Sequence, residues 1–149
     1  MLESIARELE QTLREITPKL NSISESASQA KIAPDKWSRK EILGHMIDSA
    51  SNNHQRFIRA QISDEIRLPG YEQERWVQTQ GYQHESWTDL VNLWQSYNKH
   101  LAHLIATVPE EKLKNHCLIG DDEPVTLDFL MKDYLRHLKH HLTQVFGGR

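Results

Sequence analysis

The chain has 149 residues and a formal net charge of −3, with acidic and basic residues intermixed along its length. This length predicts one domain, residues 1–149, that can bury a hydrophobic core without disulfides. The intermixed charge argues against a nucleic-acid-binding surface, and no apolar run approaches the roughly 20 residues that cross a membrane. Cys117 is the single cysteine, and the N-terminus lacks the apolar segment of a signal peptide, so we expect a soluble, cytoplasmic protein.

The first half of the chain predicts two long helices. The first starts near Leu2, is expected to bend or end at Pro18, and carries apolar residues at helical spacing, namely Ile5, Leu9, Leu13 and Ile16. The second begins at Ser38, which forms a capping box with Glu41, and runs to about residue 62. Residues 64–85 then form a long aromatic connection, which we expect to be ordered and to line a site.

The second half of the chain predicts two further helices. Ser86 starts the third, whose apolar residues keep helical spacing until Val108. Residues 110–124 form a second loop, and Thr126 caps a fourth helix that ends at the glycine pair 147–148. Four amphipathic helices without a hairpin signal predict an all-α protein, a four-helix bundle.

Three of the nine histidines are placed to share a cation. On a helical wheel of the fourth helix, with the start of the apolar stripe at 0°, His141 lies at about 320° and His137 at about 280°, so both are close to the stripe. His140 lies at about 220°, on nearly the opposite side. His45 lies beside the buried side of the second helix. Three such imidazoles from facing helices suit a metal site with an open coordination position. A histidine-rich helix with merely buried polar side chains has the same spacing, so spacing alone leaves both interpretations open.

Polar residues follow the same edge of the second helix beyond His45. Asp48 lies one turn away, where it can orient a metal-bound histidine or transfer a proton. Asn52 and Arg56 come next, and they can hold the carboxylate of a small thiol or acid substrate. A salt bridge within the helix is an equally good interpretation of Arg56.

Several segments together resemble the DinB superfamily, especially its YfiT-like branch. They are WSRKEILGHMIDS at 37–49, NNHQRF at 52–57, the stretch 70–76, and HLKHH at 137–141. The resemblance implies a four-helix bundle, typically a homodimer, that binds one divalent metal such as zinc or nickel through three histidines. Those ligands correspond here to His45, His137 and His141.

The resemblance leaves three functions open. YfiT-like proteins are described as metal-dependent hydrolases, while related members look like transferases of low-molecular-weight thiols. Three neutral imidazoles leave a metal its full charge, so either a bound water or a bound thiol would lose a proton readily. The chain has no HExxH motif, so a hydrolase would have to recruit Asp48 or a loop carboxylate such as Glu72 or Glu74. We therefore favour a thiol S-transferase acting on a small molecule, with a hydrolase and a non-catalytic metal-binding bundle as alternatives.

Overall fold

The computed structural model describes residues 2–147, and four long helices dominate this part of the chain. The helices are α1 Leu2–Asn21, α2 Glu25–Gln29, α3 Arg39–Ile62, α4 Gln73–Gln80, α5 Trp87–Ala106 and α6 Leu127–Val145. Three short strands accompany them, namely β1 Glu65–Leu68, β2 His116–Ile119 and β3 Val125–Thr126. Single 3-10 turns occupy Tyr82–His84 and Glu110–Lys112. None of the helices within residues 2–147 combines the length and the apolar composition of a membrane span.

The helices α1, α3, α5 and α6 form the predicted four-helix bundle. Packing is most extensive between α1 and α5, and α3 contacts both α5 and α6. Each long helix contributes fully buried side chains to one core, among them Leu9, Phe57, Trp94 and Met131. Burial of each such side chain stabilises the fold by about 1.5–3 kcal/mol. The fold class predicted from helical periodicity is therefore confirmed.

The helix starts predicted from the sequence are present. The Ser38 hydroxyl accepts from the backbone N–H of Glu41 at 3.2 Å, and the Glu41 carboxylate accepts from the backbone N–H of Ser38 at 3.1 Å. Ser86 and Thr126 cap α5 and α6 through their hydroxyls in the same way. These bonds satisfy backbone donors that have no partner inside the helix, so each start is defined locally.

Of the two outcomes expected at Pro18, a bend or an end, the structure excludes the end, and α6 ends slightly earlier than predicted. Helix α1 continues through Pro18 to Asn21, because Leu20 is fully buried and its carbonyl accepts from the Trp87 indole N–H at 2.8 Å. Packing beyond Pro18 therefore offsets the hydrogen bond that proline removes. Helix α6 ends at Val145 rather than at residues 147–148, and Gly148 lies outside the described residues.

A small sheet joins the two long connections, and the sequence analysis did not predict it. Strand β1 pairs in parallel with β2, and β2 pairs antiparallel with β3. Cys117 on β2 is fully buried, opposite Ile66 and Val125. The sheet brings residues 70–71 and 119–125 together beside α3 and α6. The prediction that residues 64–85 are ordered and line a site agrees with this arrangement.

Candidate metal centre

The structure brings His45 of α3 together with His137 and His141 of α6. The ring centroids of His45 and His141 are 4.7 Å apart at an interplanar angle of 80°, and those of His137 and His141 are 5.5 Å apart. Two imidazoles that share one tetrahedral cation, with metal–nitrogen bonds of about 2.0–2.1 Å, place their centroids about 5 Å apart. The spacing of both pairs therefore suits shared ligation. His140 is exposed, as the helical wheel predicted.

Among the described residues, two ring nitrogens of this cluster are buried and have no hydrogen-bond partner, namely Nδ1 of His45 and Nε2 of His141. His141 Nδ1 lies 2.9 Å from the side-chain oxygen of Gln144. Because an amide oxygen only accepts, His141 carries its proton on Nδ1 and presents a lone pair at Nε2. A buried polar atom without a partner costs about 1–3 kcal/mol, so these nitrogens fit a cation that would bind them.

His45 and His141 are also in the protonation state that binds metals. Burial, with smaller contributions from His141 and His137, lowers the pKa of His45 to about 4. Burial lowers the pKa of His141 as well, although its hydrogen bond with Gln144 opposes the change. Both imidazoles are therefore neutral at pH 7, and a cation would not have to displace protons from them.

The three histidines do not yet form a closed coordination set. In the described part of the chain, no three His, Cys, Asp or Glu side chains already converge as metal ligands. A cavity of about 10 Å³ lies between His137 and His141, with Met46 and Ser49 on its α3 side. This volume corresponds to about one water-sized sphere. His45 does not line this small cavity, so the three side chains would have to move closer together to share one cation.

A larger cavity adjoins the histidines. Its volume is about 330 Å³, and His45 and His137 form part of its wall together with Tyr71 and Arg56. This size is at the lower end of small-molecule sites. A ligand in the cavity would therefore be in contact with the histidine cluster.

Arg56 is half-buried in the wall of this cavity, and within residues 2–147 its guanidinium forms no ion pair. The salt bridge considered as an alternative is therefore absent from the structure. Burial lowers the pKa of Arg56, but a guanidinium stays charged at neutral pH. A partly buried cation without a partner is costly, so Arg56 fits an anionic group of a bound molecule.

Asn52 and Asn53 lie on different sides of α3. The Asn52 amide donates to the backbone carbonyl of Asp48 at 2.9 Å, and its side chain lines a separate cleft with Pro69 and Trp76. Asn53 lines the cavity beside the histidines. The structure therefore brings Arg56 to the cavity but not Asn52. Residue 53 lies on the buried side of α3 and residue 52 does not, a difference that helical periodicity can indicate.

Asp48 has a different environment from the one expected. It is 2% exposed, does not line the cavity, and forms no hydrogen bond with His45. Its Oδ1 accepts from the Tyr82 hydroxyl and from the Gln80 amide, each at 2.7 Å. Burial raises the pKa of Asp48, while these two hydrogen bonds oppose the change. Its contacts connect α3 to the segment 80–82, whose contribution the sequence analysis missed.

The protein is a helical bundle in which three histidines from two helices lie together beside a cavity of about 330 Å³. Residues 8–145 match the model of the DinB superfamily, and the chain belongs to that superfamily. A search of curated proteins found no match. The family resemblance drawn from the sequence motifs is therefore confirmed.

Solved structures with the same fold include YfiT from Bacillus subtilis, described as a probable metal-dependent hydrolase with an unusual four-helix bundle topology. That comparison has a TM-score of 0.79 at 19% identity and covers 95% of this chain and 83% of YfiT. A mycothiol-dependent maleylpyruvate isomerase has a TM-score of 0.79 at 12% identity, with 97% of this chain and 60% of the isomerase covered. The DinB-like protein YjoA from Bacillus subtilis has a TM-score of 0.64 at 20% identity, with 96% and 87% covered.

Proposed function

We propose that the protein is a metal-dependent enzyme that transfers a low-molecular-weight thiol to a small anionic electrophile. The observation that carries the proposal is a pair of buried ring nitrogens on facing helices, His45 Nδ1 and His141 Nε2, that have no hydrogen-bond partner within residues 2–147. His45 also lines the 330 Å³ cavity. His45, His137 and His141 would hold one divalent transition metal per chain. Zinc and nickel are the best candidates, because imidazole ligands suit them better than magnesium or calcium.

Such a cation supplies positive charge that lowers the pKa of a thiol or a water beside it. The chain itself supplies orientation. Gln144 fixes the His141 ring with Nε2 free, and the Trp37 ring, 5.1 Å from the His45 ring, covers that imidazole. Arg56 would bind a carboxylate of the electrophile in the adjoining cavity. Any role of Asn52 in substrate binding would be indirect, because its side-chain amide donates to the backbone carbonyl of Asp48 in α3.

Thiol transfer is favoured over hydrolysis because the carboxylates that the sequence suggested as general bases, namely Asp48, Glu72 and Glu74, do not line the cavity beside the histidines. Asp48 accepts hydrogen bonds from Tyr82 and Gln80. These bonds suit Asp48 to holding α3 in place rather than to acting as a general base. Glu72 is exposed and pairs with Arg75 at 3.0 Å, and Glu74 does not line the cavity. A thiol nucleophile needs no separate base once its pKa is lowered.

Hydrolysis remains a second candidate, because three carboxylates line the cavity, namely Asp122, Glu123 and Asp133. The description of YfiT as a probable metal-dependent hydrolase supports this alternative. A non-catalytic metal-binding bundle is the third. The 330 Å³ cavity beside His45 and His137 argues against it, because a purely structural centre is normally closed by protein ligands.

The deciding experiment compares two reactions of the metal-loaded protein. Thiol transfer predicts accelerated conjugation of a small thiol to monochlorobimane, with a rate that depends on the thiol and is lost in His45→Ala but kept in His140→Ala. Hydrolysis predicts thiol-independent ester cleavage that rises through a pKa near neutrality. Absence of both reactions across several thiols and esters, with metal bound, would refute the enzyme proposal.

We also propose a homodimer located in the cytoplasm, with no nucleic-acid partner. The location is supported by Cys117, a free and buried thiol that suits a reducing compartment. The dimer is supported by the family resemblance alone.

A further inference from the structure

A second group of histidines lies between α3 and α5, away from the cavity described above. His54 of α3 is half-buried, and His100 and His103 of α5 are exposed. The ring centroids of His54 and His100 are 5.2 Å apart, with an interplanar angle of 84°. Neither side chain lines the cavity or contacts the His45 cluster. This second group is therefore separate from the candidate metal centre.

The spacing of this pair matches shared ligation. Two imidazoles on one tetrahedral cation, at metal–nitrogen distances of about 2.0–2.1 Å, have centroids about 5 Å apart. A direct hydrogen bond between the rings is not formed, since the only hydrogen bond of His54 described within residues 2–147 goes to Tyr97. His103 is farther away, with its ring stacked 6.4 Å from that of His100.

Tyr97 orients the His54 ring. Its hydroxyl lies 2.9 Å from His54 Nδ1, and the two rings meet edge to face at 5.5 Å. If His54 donates its Nδ1 proton to this oxygen, the lone pair is at Nε2. Metal-binding histidines are commonly oriented in this way, by a hydrogen bond from the other ring nitrogen. Burial and the nearby His100 lower the pKa of His54, which favours the neutral ring.

We propose that His54 and His100 form a second binding site for a divalent transition metal such as Zn²⁺, with water completing the coordination. The site would link α3 to α5, and it does not depend on the function proposed for the His45 cluster. Two protein ligands give weaker binding than three. We therefore expect this site to fill during titration with added metal and to empty on dialysis.

The test is calorimetric titration of Zn²⁺ into His137→Ala/His141→Ala, a background that lacks the first cluster. This background should bind one Zn²⁺ per chain. Adding His54→Ala or His100→Ala should weaken binding at least 10-fold, and Tyr97→Phe should weaken it by about 10-fold or more. His84→Ala is the matched control, since His84 is also exposed but lies outside the group, and it should change nothing.

Unchanged affinity in His100→Ala would overturn the proposal, as would an equal loss in His84→Ala. Because His100 is exposed, we expect His100→Ala to fold, so this variant tests the proposal even if His54→Ala fails to fold. Long-range ¹H–¹⁵N spectra of the imidazoles give a second measurement. Zn²⁺ should shift His54 Nε2 and a His100 ring nitrogen together, and a Zn²⁺ response confined to other histidines would contradict the assignment.

Discussion

Burial of His45 should make the metal-free protein sensitive to mild acid. The pKa of His45 is lowered from 6.5 to about 4, so the unfolded chain binds a proton more readily than the folded protein between these values. Burial of the neutral His45 ring therefore contributes fully to the free energy of unfolding above pH 6.5, and this contribution is lost as the pH falls towards 4. The difference in pKa corresponds to about 3 kcal/mol at pH 4.

This contribution can be isolated with His45→Gln, whose side chain does not titrate. Urea unfolding of both proteins should be measured between pH 7 and pH 4 in the presence of a chelator. Wild type should lose about 3 kcal/mol more than His45→Gln over this range, because other acid-sensitive groups are common to both. Parallel stability curves for the two proteins would refute the burial argument, whatever their absolute stabilities.

Three further predictions concern packing, substrate binding and assembly. Gly44→Ala should lower the free energy of unfolding by about 1–3 kcal/mol despite a gain in helix propensity of up to about 1 kcal/mol. The new Cβ would overlap the Tyr82 ring, closest to its Cδ2 and Cγ atoms. Gly70→Ala, with no neighbour within 4 Å of its Cβ, should change little, and equal effects in urea unfolding would contradict this reasoning. If the proposed function holds, Arg56→Ala should reduce kcat/KM for a carboxylate electrophile by about 10- to 100-fold, the loss of one charged hydrogen bond. The same variant should leave an uncharged analogue nearly unaffected, and equal losses for both in steady-state assays would exclude carboxylate recognition. Light scattering should give twice the mass of one chain, and a monomeric mass would remove the dimer proposal alone.

The features predicted best from the sequence are those that depend on nearby residues. The capping box of Ser38 and Glu41 spans four positions, and the pairing of His137 with His141 spans one helical turn. Helical periodicity then orients His45 towards the same core. These local rules suffice for the bundle and for the three histidines, because each long helix has one apolar face.

The features missed depend on contacts between distant segments. Strands β1 and β2 have four residues each and pair across about 50 positions, so neither has a recognisable period. The bond of Tyr82 to Asp48 and the meeting of His54 with His100 likewise join separate elements. Asn52 was selected because it lies on the same edge of the helix as His45 and Arg56, and a helical wheel does not show that Asn52 lines a separate cleft with Pro69 and Trp76.

The most direct test of the account is the metal content of the purified protein. Protein from metal-replete medium should be dialysed to empty the weaker His54 site and then analysed for transition metals. We expect about one zinc or nickel ion per chain in wild type and in His140→Ala, and almost none in His141→Ala. Full metal content in His141→Ala, or equal losses in both variants, would contradict the assignment of His45, His137 and His141 as one metal centre.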